Sequence, residues 1–132
     1  MKSYTDIEQS KKLTEILPIE SADLKWFFWM EESNAAKTPS FGYSKIVAET
    51  YKETDAIYLP CWSLSALLEQ LKAEIQLENK QILFLHINKY DDINYEIRYT
   101  NSWTGEVFIT EADNLVDACV AMIEKLNELK LL

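Results

Sequence analysis

The chain has 132 residues, 48% of them apolar and 12% aromatic, with a net charge of −9 and a pI near 4.6. That is enough apolar material for a single domain burying ~65% of its unfolded surface, and too much for a disordered chain. The acidity is spread, with 7 basic against 10 acidic residues over 1–61 and 6 against 12 over 62–132, so the field repels phosphate backbones and speaks against direct binding of DNA or RNA.

In chain order, "TDIEQSKKLTEIL" opens with Thr5 and Glu8 at capping-box spacing. Ile7, Leu13, Ile16 and Leu17 give it an amphipathic face, and Pro18 ends it. "ADLKWFFWM" follows as a strand rich in aromatics. Leu24, Trp26, Phe28 and Met30 fall on one side and Lys25, Phe27 and Trp29 on the other, so both faces are largely apolar and both need cover. "EESNAAKTPSFG" reads as a loop. "YSKIVAETYKETDAIYL" is read as two short strands, one pairing with the aromatic strand; the alternative is a short helix followed by a strand at Ala56–Leu59. "LPCWSLSALLEQL" comes next, predicting a helix from about Trp62 to Lys72 with Leu64, Leu67, Leu68 and Leu71 inward.

The last sixty residues predict a three-stranded meander, "QILFLHINKY", "NYEIRYT" and "GEVFIT", broken at "DDI" and "NSWTG". In the middle strand Tyr95, Ile97 and Tyr99 face one way and Glu96, Arg98 and Thr100 the other. A final helix is predicted in "DNLVDACVAMIEKLNELKLL", where Asp113 offers an N-cap and Leu115, Ala118, Cys119, Met122, Leu126 and Leu129 recur at helical spacing. The expected fold is a single α+β domain, an antiparallel sheet with a C-terminal three-stranded meander and helices packed mainly on one face. The order of elements in the second half resembles the double-stranded RNA-binding fold. Its function does not follow, because the last helix has only Lys125 and Lys130 among Glu111, Asp113, Asp117, Glu124 and Glu128.

Cys61, Cys119 and the lone His86 form no C-x-x-C or Cys/His cluster, so neither a metal nor any other cofactor is expected. The start is polar and no apolar run spans a bilayer, which points to the cytoplasm, to reduced thiols and to no membrane partner. Cys61 at a helix start suggests a thiolate nucleophile with His86 as base, but a free cysteine more often packs as a small hydrophobe. His86 shares a strand face with Ile82, Phe84 and Tyr90, the setting of a core or boundary histidine. Asp91 and Asp92 fit turn chemistry better than acid–base work.

The aromatic residues are the feature least explained by packing alone. Trp26, Phe27, Trp29 and Trp103 are the expected partner-binding residues, since a strand apolar on both faces leaves one to be covered by a protein partner or by a second copy in a homodimer.

Three stretches, "KLTEILPIESAD", "LPCWSLSALLEQL" and "EADNLVDACVAMIEKLNEL", resemble a family of small uncharacterised proteins encoded by phages and mobile elements of gut bacteria, particularly Bacteroides relatives. The resemblance implies that genomic setting and a cytoplasmic location, and it brings no activity and no site residues. It also implies that the place of Cys61 is commonly alanine in the family. The expected function is a non-enzymatic accessory or interaction protein of a mobile element. The alternatives are an acidic mimic of nucleic acid that blocks a host protein, and a thiol enzyme built on Cys61.

Overall fold

Each half of the chain builds its own antiparallel sheet, which makes the architecture α+β. The computed structural model describes residues 2–29, 40–41, 56–105 and 107–132, without the side chains of 27–29, 40–41 and 56–58. Length alone suggests one domain; the chain divides into two compact units, Ser3–Ala66 and Leu67–Leu132 with Lys2.

In the first unit, α1 (Ile7–Thr14) starts one residue later than the sequence suggests. Asp6 is the N-cap, accepting from the Gln9 N–H at 2.8 Å, while Gln9 Oε1 accepts from the Asp6 N–H at 3.1 Å. Both Thr5–Glu8 and Asp6–Gln9 have capping-box spacing, and Thr5 is excluded because its hydroxyl bonds elsewhere. The helix ends before Pro18, which leads into a 3₁₀ turn at Ile19–Ser21.

The aromatic strand is β1 (Leu24–Trp29), and it lies between β2 (Ser40–Phe41) and β3 (Ala56–Cys61). Pairing with β3 runs from Leu24↔Cys61 to Trp29↔Ala56. Ser40 and Phe41, expected in a loop, pair with Lys25 and Leu24. The two alternatives for residues 43–55 lie outside the described residues. Leu24, Trp26 and Cys61 are buried together, with Tyr4, Ile7 and Leu59 against them, and α1 packs on β3.

Next, α2 (Leu64–Glu69) carries the chain from one unit into the other. It is shorter than the predicted Trp62–Lys72: Gln70 and Leu71 already donate to Leu67 and Leu68 in 3₁₀ fashion.

The second unit holds β4 (Glu74–Gln76), β5 (Ile82–Lys89), β6 (Tyr95–Thr100), β7 (Val107–Ala112) and α3 (Leu115–Glu128). The sheet has the order β4-β5-β6-β7, so the predicted meander is present with an extra edge strand. "EIQ" offers a single apolar residue, Ile75, too few for periodicity to register. On the inner face Ile75, Leu83, Ile97 and Tyr99 are buried, and α3 packs on β6 and β7. Two hydrogen bonds fix that layer: Tyr99 OH to the Lys72 carbonyl at 2.6 Å and Thr110 Oγ1 to the Ala118 carbonyl at 2.9 Å. The N-cap of α3 is Asn114 rather than Asp113; its Oδ1 accepts from the Asp117 N–H at 2.8 Å.

Candidate functional site: the open face of the four-stranded sheet

The segment "LPCWSLSALLEQL" forms a clasp with Thr5 and Asp23. Cys61 ends β3, and the helix that follows begins only at Leu64 and is too short to lend it a dipole. Ser63 caps that helix, its hydroxyl accepting from the Ala66 N–H at 3.2 Å while Asp23 accepts from both its backbone and its side chain. Thr5 is the centre of the clasp. Its N–H donates to the Trp62 carbonyl at 2.9 Å, and its hydroxyl accepts from the Trp62 N–H at 3.1 Å and pairs with Ser10 Oγ at 2.8 Å. Its carbonyl accepts from Trp26 Nε1 at 3.2 Å.

Cys61 is 0% exposed, and burial pushes its thiol up from the ordinary value; burial alone lifts Cys119 to about 12. A nucleophile needs the opposite, a depressed pKa and access. Cys61 packs as a small hydrophobe, and its burial does not favour the thiol-enzyme alternative. Iodoacetamide at neutral pH should leave both thiols of the native chain unmodified over an hour and label both in urea; rapid native labelling of Cys61 alone would restore the nucleophile.

His86 is exposed rather than at a core boundary, because its strand face is the outer one. Asp91 is occupied by the turn, accepting from the Ile93 and Asn94 N–H groups at 2.9 Å each, and these bonds hold its carboxyl below the usual range. Among the described residues no group of three or more His, Cys, Asp or Glu side chains could hold a metal ion, and no helix is long and apolar enough to cross a membrane.

What remains is the outer face of the β4–β7 sheet. Register sets Glu74, Phe84, Thr100 and Val107 in one row, His86, Arg98 and Ile109 in the next, and Asn88, Glu96 and Glu111 in a third. Phe84 is 45% exposed, and Ile82, Val107 and Ile109 are also open. At the end of the β6–β7 hairpin Trp103 is 96% exposed. Its turn is pinned. Asn101 Oδ1 accepts from the N–H groups of Trp103 at 2.8 Å and Thr104 at 3.2 Å, its Nδ2 donates to the Ile82 carbonyl at 2.9 Å, and Gly105 closes the turn at φ 74°. A positive φ of that size is a glycine's place.

The polar end of the face is a closed network. Glu96 is 2% exposed, its carboxylate held by Arg98 Nε at 2.6 Å and Tyr90 OH at 2.7 Å, while Arg98 Nη2 donates to Tyr90 OH at 2.8 Å. Arg98 above all keeps the Glu96 carboxyl below its ordinary value. The arginine is consumed in this network, so the face offers an ordered polar border rather than a loose cation.

Of the four residues expected to bind a partner, the side chains of two, Trp26 and Trp103, are described. Trp26 is 5% exposed and committed to the core of the first unit, edge-on to Tyr4 at 5.7 Å. The side chains of Phe27 and Trp29 lie outside the described residues. Trp103 stands on the open face's own hairpin, in the other unit. Phe84, Val107 and Ile109 were missed as surface residues, although a signal was present. Glu96, Arg98 and Thr100 mark the middle strand's wet side, and carrying that side across the hairpin to Phe84 and His86 identifies the open face.

No protein family, curated protein or solved structure matches the chain.

Proposed function

We propose that the chain is a non-enzymatic accessory protein of a phage or mobile element, acting in the cytoplasm by holding a protein partner on the open face of its C-terminal sheet. The observation that carries this reading is a fully exposed tryptophan on a pinned turn, at the end of the sheet where Ile82, Phe84 and Val107 are also open. Tryptophan is the residue most enriched at binding hot spots, and a contiguous apolar surface rimmed by polar groups is the usual mark of an interface. The genomic setting and the location rest on the three stretches that resemble the mobile-element family. A mimic of nucleic acid would lead with carboxylates, whereas here Phe84, Thr100 and Ile109 stand between Glu74 and Glu111.

Photo-cross-linking tests the reading. With a benzophenone amino acid in place of Trp103, the chain should cross-link in cells to one discrete protein. The same probe in place of Glu20, exposed in the other unit, should not. Identical diffuse patterns from both positions would sink the proposal.

A further inference from the structure

The two edges of the C-terminal sheet are treated differently by the sequence. Edge strands offer unpaired backbone groups, and proteins blunt them with short length, lysine, proline or bulges. The β4 edge is blunted, with three residues only. Among the described residues no strand pairs beyond β7, which runs six residues, Val107–Ala112, and holds no lysine, arginine, proline or glycine. Its inner side is packed by α3, and its outer side shows Val107 and Ile109 to solvent beside the row of Thr100 and Phe84. In sequence the strand lies between Glu106 and Asp113, with Glu111 within it, in a chain of net charge −9.

Resting on the proposed function, we infer that β7 is a docking edge, taking as a fifth strand an extended segment of a partner protein whose apolar side chains alternate between basic ends. Addition of a strand satisfies the edge through main-chain bonds, and pockets for alternate side chains supply specificity. Val107 and Ile109 would meet the apolar positions, and the exposed Glu111 and Asp113 would meet lysine or arginine. A second copy fits the edge poorly. Each copy carries a net charge of −9, so two copies repel, and two antiparallel β7 strands centred on Ile109 would set the exposed Glu111 of each against the apolar Val107 of the other.

The test is hydrogen–deuterium exchange of the full chain with a capped nine-residue peptide, Lys-Lys-Val-Thr-Val-Thr-Val-Lys-Lys. The expected result is slowed exchange across Val107–Ala112 with β4 unchanged, and binding weakened roughly tenfold by Glu111→Lys, the scale of one reversed charge contact. Glu20→Lys, in the other unit, should leave the affinity unchanged. Protection at β4 or nowhere, equal weakening by Glu20→Lys, or concentration-dependent protection of β7 without peptide would each overturn the inference. Cross-linking from position 103 reads the face and not the edge. A discrete cross-link with β7 unprotected therefore removes the edge alone, and failure of both removes the face as well.

Discussion

Replacing Trp62 by alanine should lower the stability of the Ser3–Ala66 unit by about 3–5 kcal/mol, the cost of emptying a tryptophan site in a packed core. Trp62 is fully buried, and its indole Nε1 donates to Ser21 Oγ at 2.8 Å. Ser21 Oγ in turn donates to the Pro18 carbonyl at 2.6 Å, so the substitution also loosens the 3₁₀ turn. Trp103→Ala, by contrast, should change stability by no more than about 0.5 kcal/mol, as an exposed side chain does. Urea unfolding followed by circular dichroism separates the two. Equal shifts in midpoint would mean that Trp103 is a structural residue, and its role as an anchor for a partner would fall with that result.

A second large effect is expected at Glu96. Glu96→Gln removes the charge from two charge-assisted hydrogen bonds and should cost about 1.5–3 kcal/mol at pH 7. The pH dependence has a definite sign. The folded Glu96 carboxyl lies below its ordinary value of 4.5, chiefly because of the Arg98 bond, so the unfolded chain binds the proton more readily. The stabilisation is present above that ordinary value and is lost as pH falls through the folded value. Wild-type urea midpoints should drop as pH is lowered from about 5, and Glu96→Gln should show a shallower drop. Parallel acid limbs in the two proteins would show that the network contributes nothing through ionisation.

Legibility in the sequence followed the amount of periodic apolar signal. The final helix was readable because Ala118, Cys119, Met122 and Leu126 repeat at helical spacing, and all are buried. The meander was readable from the alternation of Ile97 and Tyr99 with Glu96 and Arg98. Boundaries failed wherever two residues competed for one role. Thr5 and Asp6 both suit a cap, as do Asp113 and Asn114, and only tertiary partners decide between them. Trp62 looked like part of a helix because the leucines after it are helical, while its own backbone is tied to Thr5 from far away in the chain. The candidate site was half legible. Trp103 was visible as a tryptophan in a turn, but the openness of Phe84 shows only when the wet side of the middle strand is carried across the hairpin by its register, which the alternation of β5 alone does not give.

The clasp at Thr5 also bears on how the chain collapses. Thr5 and Trp62 lie 57 residues apart, whereas Lys89 meets Tyr95 across one short turn. Loop-closure entropy grows with the logarithm of length, and the difference is just over three doublings, about 2 kcal/mol for the bare chain. The hairpins of the second sheet can therefore close early at little cost, while the first unit must wait for distant segments to find each other. Until they do, the apolar faces of β1 and β3 have no partner, which makes the N-terminal half the part of a nascent chain most in need of shelter.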